Sequence, residues 1–259
     1  MITSASNEKI KQVSALIRRH KERKSTKLFT AEGIKIYSEA EADRIEQIFI
    51  SESFRKANEG FSFKKEPVVV RDDVFARMCD TQTPQGILTV LRQPQTTLAQ
   101  ILERAPGGPV VILEDVQDPG NVGTIIRTAE GAGAAGVILS TGCADLYSPK
   151  TIRSTMGSVL RVPAMYTDDP VSAALQLKSA GITIMAAHLK GKSFYDEQEY
   201  KDNYAILIGN EARGLGDALT QTADLLVKIP MEGKLDSLNA AVAAGILMYA
   251  VYSRKRKTT

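Results

Sequence analysis

An α/β fold with a parallel sheet in its C-terminal part is predicted for this chain by three observations. Short apolar runs at 110–113, 136–139, 182–187, 204–208 and 225–229, with a weaker one at 162–166, alternate with helical stretches. These runs are largely apolar, broken only by Thr183 and Lys228 in the five stronger ones, rather than apolar at every second residue, as in strands covered on both faces. The first of them ends at Pro119-Gly120, and an amphipathic helix follows, with Val122, Ile125, Ile126 and Ala129 on one face. Crevices for ligands form outside the carboxyl ends of such strands, which is where this break lies.

Taken in order, the chain opens with a helix expected over 9–24, Ile10, Val13 and Ile17 facing inward. Phe29-Thr30-Ala31-Glu32-Gly33 precedes a helical 34–40, and 45–50 and 67–70 read as short strands. A helix over 72–78 and a strand near 86–90 complete a small α/β unit of about 90 residues. Residues 93–109, rich in Pro, Gln, Thr and Gly, read as a linker with a short helix at 98–103. The expected domains are therefore 1–92 and 110–259. In the second, Asn121 is placed to cap the helix after the Pro-Gly break. Gly131-Ala132-Gly133-Ala134-Ala135-Gly136 should end that helix and turn into the next strand. The last strand leads into a long helix from Ser237 that is apolar nearly all round, with small residues at Ala240, Ala241, Ala243, Ala244 and Gly245. Packing within one domain and a dimer contact account for it equally well.

Composition excludes several classes. No apolar run approaches the ~20 residues of a membrane span, and the N-terminus has no apolar signal region. The only cysteines, Cys79 and Cys143, and the only histidines, His20 and His188, are too scattered for a metal cluster, which suits a reduced, cytoplasmic protein. Net charge is only +3, yet eight Lys or Arg lie between Lys9 and Lys27 against the single acid Glu22, and the tail adds Arg254-Lys255-Arg256-Lys257. The two basic segments together point to a polyanionic partner.

Two nucleotide motifs fail on context. The glycines from Gly131 to Gly136 spell a dinucleotide fingerprint, but there the helix precedes the strand, whereas pyrophosphate needs a helix N-terminus after it. Gly191-Lys192-Ser193 resembles the end of a P-loop but is followed by a short acidic stretch rather than a substantial helix.

Three strand-following loops match better. They are Asp118-Pro119-Gly120-Asn121-Val122-Gly123-Thr124-Ile125-Ile126-Arg127-Thr128-Ala129, then Ile208-Gly209-Asn210-Glu211-Ala212-Arg213-Gly214-Leu215-Gly216, then Ile229-Pro230-Met231 with Asp236-Ser237-Leu238-Asn239-Ala240-Ala241-Val242-Ala243. In this order and spacing they closely resemble the SpoU/TrmH branch of the SPOUT RNA methyltransferases over residues 110–252. More loosely, 29–33 and Thr83-Pro84-Gln85-Gly86 resemble the family's ribosomal-protein-like N-terminal substrate-binding domain.

The resemblance implies methyl transfer from S-adenosylmethionine, usually to a ribose 2′-hydroxyl of ribosomal or transfer RNA, without a metal. It implies a sheet whose C-terminal segment threads a trefoil knot, a homodimer, and an active site partly supplied by the second subunit. Carried over to this chain, it assigns the cofactor to His188, Leu189, Gly209, Asn210, Ile229, Met231 and Leu238. The active-site set becomes Arg127, Asn121, Glu211, Ser237 and Asn239. Arginine is a poor base, so Arg127 is read as an anchor for the RNA phosphate and 2′-oxygen, with the phosphate as proton acceptor. The structural alternative for it is a salt bridge to Glu130 or Glu211. Relatives that modify ribosomal RNA can carry a second serine two residues after the third-loop asparagine, where this chain has Ala241. A non-catalytic RNA-binding module on the same fold, and more remotely a P-loop-like NTPase, are the other functions considered.

Overall fold

The computed structural model describes residues 1–188, 191, 193–198, 200, 203–234 and 237–258, the last five of these by their backbone. Contacts divide the chain into two compact units, Met1–Gln93 with Asp145–Leu160, and Pro94–Ala144 with Arg161–Thr259.

The first unit opens with α1 (Glu8–Arg18) and α2 (His20–Thr26). The side chain of Asn7 caps α1 by accepting from the Lys9 amide, and Ile10, Val13, Leu16 and Ile17 are buried. The single helix expected over 9–24 is thus two. Arg19 is extended (φ −119°, ψ 114°), and the carbonyls of Leu16 and Ile17 at the end of α1 accept instead from the guanidinium of Arg23. Next come β1 (Leu28–Glu32), α3 (Ile34–Glu39), β2 (Ile45–Ser51), α4 (Glu52–Ala57), β3 (Val68–Val70), α5 (Asp72–Met78) and β4 (Ile87–Arg92). The strands form a sheet in the order β1-β4-β2-β3, with β4 antiparallel to both neighbours and β2 parallel to β3. Ile10, Val13, Phe49, Val74, Phe75 and Leu88 belong to the core on its helical side.

The second unit starts at α6 (Leu98–Arg104), closed at its N-terminus by a reciprocal Thr97–Gln100 capping box. Part of the expected linker is therefore structure of this unit, with Ile101 fully buried in its core. β5 (Val110–Leu113), α7 (Pro119–Gly131) and β6 (Gly136–Ser140) follow. The chain then departs from the expected boundary: residues 145–160, which carry α8 (Pro149–Thr155), cluster with the first unit. It returns for β7 (Ala164–Thr167), α9 (Pro170–Ser179), β8 (Thr183–Ala187), β9 (Ser193–Phe194), β10 (Tyr204–Ile208), α10 (Asp217–Thr220), β11 (Leu225–Lys228) and α11 (Ala240–Thr258).

These seven strands lie in the order β7-β6-β5-β10-β8-β11-β9, and every pairing among them is parallel. Both faces are covered, as continuous apolar strands require. Val110, Ile112, Ile184, Ala205 and Leu207 pack with residues of α6, α9 and α10, while α11 packs against α7 and β10. From β5 the chain moves outward to β6 and β7 on one side, then fills the other side with β8 to β11. The direction of winding therefore reverses between β5 and β10, and the loops leaving those two strands bound a crevice.

Two local expectations are corrected here. Asp118, not Asn121, caps α7: its carboxylate accepts from the Asn121 amide, and Pro119 takes the first helical position. The last helix begins at Ala240 rather than Ser237. Gly131 to Gly136 behave as expected: Gly133 is left-handed (φ 64°), the Ala134 amide reaches back to the Ala129 carbonyl, and β6 starts at Gly136. Among the described residues between Ser193–Phe194 and β10 there is a single 3₁₀ turn (Tyr195–Glu197) and no α-helix of the kind a P-loop needs. Lys192 itself lies outside the described residues.

Candidate active site at the carboxyl ends of the parallel strands

Three loops meet at this edge, and side chains from each join in one hydrogen-bonded chain. Because Asp118 and Pro119 start α7, the Asn121 side chain is released from capping. Asn239, which precedes α11, donates from Nδ2 to Asn121 Oδ1 at 2.8 Å. Asn121 in turn donates from Nδ2 to Glu211 Oε1 at 2.9 Å. The Glu211 carboxylate also accepts from the amides of Gln117 and Asp118, each at 3.2 Å. Burial pushes the Glu211 carboxyl up, but the Asn121 side chain and these backbone amides together outweigh it and hold the group below its ordinary value. A carboxylate so occupied is a fixed acceptor and a weak base.

The β10 loop that presents Glu211 is itself tightly built. Gly209 has no room for a side chain, since a Cβ there would lie 2.3 Å from the Gly214 carbonyl carbon and the Leu215 nitrogen. Asn210 and Gly214 exchange backbone hydrogen bonds at 3.0 and 2.9 Å, and Asn210 Oδ1 accepts from the amides of Ala212 and Arg213. Two acidic residues that sequence reasoning passed over anchor this loop. Glu114 Oε2 accepts from the Gly216 amide at 2.6 Å, and the Asp115 carbonyl accepts from Asn210 Nδ2 at 2.7 Å. Their signal in the sequence was an adjacent acid pair at the end of a buried strand, a place where carboxylates have few reasons to be.

The remaining expected residues divide clearly. Arg127 lies on the exposed side of α7, off the buried stripe of Val122, Ile125, Ile126 and Ala129. It makes no hydrogen bond or ion pair with any described residue. The carboxylates considered as its partners are engaged elsewhere, Glu130 by Arg161 and Glu211 by Asn121. Ser237 is exposed in the third loop and outside the hydrogen-bonded chain. Asn239 caps α11 by accepting from the amides of Ala241 and Val242. β10, β8 and β11 are neighbours in register, so His188, Gly209 and Ile229 leave the sheet at one edge. His188 is half-buried and donates its amide to the Val227 carbonyl; Ile229, Met231 and Leu238 are half-buried too. Leu189 lies outside the described residues. No group of His, Cys, Asp and Glu among the described residues is arranged to hold a metal ion.

In the first unit, the basic segment is also divided. Arg18, Arg19, Lys21, Lys24 and Lys27 are exposed. Arg23 is not: it is 5% exposed and paired with Asp145 at 2.6 Å, so it belongs to the framework rather than to any RNA-facing surface. The side chains of Arg254–Lys257 lie outside the description.

Known proteins resemble this chain over nearly its whole length. Residues 108–249 match the SpoU rRNA Methylase family, and residues 7–89 match the MRM3-like substrate binding domain. The 23S rRNA (guanosine(2553)-2′-O)-methyltransferase RlmP of Bacillus subtilis is 34% identical over 96% of this chain and 97% of its own. Among solved structures, an AdoMet-bound rRNA methyltransferase from Sinorhizobium meliloti superposes with a TM-score of 0.83 at 32% identity, covering 97% of both chains. The SpoU methyltransferase AviRb of Streptomyces viridochromogenes, in complex with AdoMet, gives 0.84 at 25% identity over 96% of this chain and 98% of its own. With more than half of its length matched by the family model, the chain belongs to the SpoU family of RNA methyltransferases.

Proposed function

We propose that the protein transfers the methyl group of S-adenosylmethionine to a ribose 2′-hydroxyl, with ribosomal RNA as its substrate. The observation that carries this reading is the Asn239–Asn121–Glu211 chain, which joins three strand-end loops at the sheet's reversal point. The ribosomal substrate follows the similarity to RlmP over 96% of the chain.

The residues fit the cofactor by the chemistry of the donor set. Ile229, Met231 and Leu238 supply apolar walls, and the side-chain-free backbone at Gly209 supplies main-chain groups at close range. When bound, S-adenosylmethionine supplies a methyl group already activated on a sulfonium, so the protein's tasks are alignment and care of the hydroxyl proton. Glu211 is held ionised by three N–H donors and is unsuited to take that proton. Arg127 pairs with no carboxylate among the described residues, and a guanidinium grips a phosphate and a neighbouring oxygen in two-pronged fashion. In this reading it orients the 2′-oxygen, and the RNA phosphate accepts the proton. Ser237 and Asn239 complete the polar wall of the third loop. The first unit, with its exposed lysines and arginines, would hold the RNA. A trefoil knot formed by the C-terminal segment, and a homodimer whose second subunit completes the site, belong to the same proposal. The exposed Val242, Tyr249 and Tyr252 of α11 support such a contact.

The test is incubation with methyl-labelled S-adenosylmethionine and ribosomal or transfer RNA, followed by alkaline hydrolysis. Label in alkali-resistant dinucleotides from ribosomal RNA supports the proposal. RNA binding with no S-adenosylmethionine binding by calorimetry would favour a non-catalytic RNA-binding module.

A further inference from the structure

Asp115, the second residue after β5, has a left-handed backbone (φ 53°). The other described non-glycine residues with positive φ, Lys27 and Met156, follow the last turns of α2 and α8, where a left-handed residue commonly closes a helix. Asp115 closes no helix. Aspartate and asparagine tolerate this conformation better than other side chains, and a residue held in it beside a functional site usually shapes that site.

What holds Asp115 there is visible on every side. Ser140 Oγ, at the end of β6, donates to Asp115 Oδ1 at 2.8 Å and accepts from its amide at 2.9 Å. Gly142 closes over the carboxylate so tightly that a Cβ there would lie 2.0 Å from Oδ1. Arg213 Nη2 lies 3.4 Å from Oδ2, and the Asp115 carbonyl takes the Asn210 side chain at 2.7 Å. One residue thus ties together the loops after β6, β5 and β10, three strands adjacent in the sheet. Its grip on Asn210 fixes the turn that carries Glu211, which holds Asn121, which accepts from Asn239.

We infer that Asp115 is a positioning residue for methyl transfer, setting the shape of the Gly209–Gly214 turn and through it the cofactor loops. The inference rests on the function proposed above, but part of its test does not. In the ligand-free protein, amide hydrogen exchange across 210–216 should be about tenfold faster in Asp115→Ala, because alanine neither favours the left-handed backbone nor bonds Ser140. S-adenosylmethionine affinity by calorimetry should fall by about the same factor, with kcat reduced and KM for RNA unchanged. Asp115→Asn should restore exchange, affinity and kcat to near wild type, since asparagine accepts the same φ and keeps an oxygen for Ser140. Asp115→Gly, which relaxes the backbone but loses that oxygen, should lie between. Exchange and affinity in Asp115→Ala equal to wild type would overturn the inference. So would an Asp115→Asn variant as impaired as Asp115→Ala; if the alanine variant fails to fold, an asparagine variant no better than glycine is decisive against it. A wild-type protein that does not bind S-adenosylmethionine would sink the proposed function, while the exchange measurement still judged Asp115.

Discussion

Replacing Arg23 by alanine should melt the first unit rather than weaken its hold on RNA, although Arg23 sits in the most basic stretch of the chain. Its guanidinium makes four contacts: Nη2 and Nε to Asp145 Oδ2 at 2.6 and 2.7 Å, and Nη1 to the carbonyls of Leu16 and Ile17 at 2.5 and 3.0 Å. The side chains of the pair are only 6% and 14% exposed, so alanine leaves the Asp145 carboxylate with the Tyr147 amide on Oδ1 but no counter-ion in a poorly hydrated place. Removing one member of a buried pair costs about 3–5 kcal/mol. It also returns two carbonyls at the end of α1 to an unpaired state. In a unit of this size each kcal/mol lowers the melting temperature by about 4–8 °C, so a fall of at least ~10 °C is expected. Lysine should recover little, since one ammonium cannot span the carboxylate and both carbonyls. The contrasting variant changes Arg18, Arg19 and Lys24 to alanine together. Exposed and off the framework, they should leave melting within the ~0.5 kcal/mol typical of surface changes. They should also flatten the salt dependence of RNA binding by about 0.7 slope units per lost phosphate contact on single strands. Calorimetry and fluorescence titration at several salt concentrations read the two quantities. An Arg23→Ala protein that melts like wild type but loses RNA affinity would refute the assignment.

Two further outcomes follow from the strand-end site. Asn121→Ala should raise the Glu211 pKa, because the burial that pushes it up remains while the strongest opposing hydrogen bond is lost; carboxyl-carbon NMR titration reads this, and an unmoved titration would break the Asn121–Glu211 link. The sign for stability is fixed by the same shift. With its folded pKa below the ordinary 4.5, Glu211 stabilises the wild type above that pH, and the contribution disappears as pH falls through the folded value. The variant should therefore show a shallower loss between neutral and acid pH. Gly209→Ala should force the β10 loop open, since the new Cβ would lie 2.3 Å from Gly214 and Leu215 backbone atoms. A cost of about 1–3 kcal/mol is expected in the melting curve, with cofactor affinity reduced alongside, whereas wild-type melting and affinity would contradict the close approach.

Six of the seven strands of the parallel sheet were legible because they are largely apolar without alternation, a pattern that burial on both faces imposes, whereas the two-residue edge strand β9 (Ser193–Phe194) falls where the sequence reads as a loop. The turn from Gly131 to Gly136 was legible because only the order helix, glycine, strand allows one reading. Other features depend on partners far along the chain. The break at Arg19 is invisible to local signals, since Ile10, Val13 and Ile17 set a helical stripe and no Gly or Pro interrupts the chain between it and Lys24. What permits it is Arg23 reaching Asp145, 122 residues away. The assignment of residues 145–160 to the first unit is hidden in the same way, because locally they are another helix between two strands. Asn121 is a fair capping residue by type, and only the competition with Asp118 and Pro119 shows that its side chain is free for Glu211. Asp115 looks like a surface acid until its backbone conformation is known.

In the proposed reaction Arg127, exposed on α7 and paired with no described residue, orients the RNA. Single-turnover transfer of labelled methyl to ribosomal RNA by Arg127→Ala tests this role most directly, with cofactor affinity and melting measured on the same preparation. Turnover should fall by at least ~10²-fold, as losing a positioning or proton-handling group commonly does. Cofactor affinity and melting temperature should stay near wild-type values, because the side chain is exposed and pairs with no described residue. Near-normal turnover, or a loss explained by a large drop in melting temperature, would contradict the account.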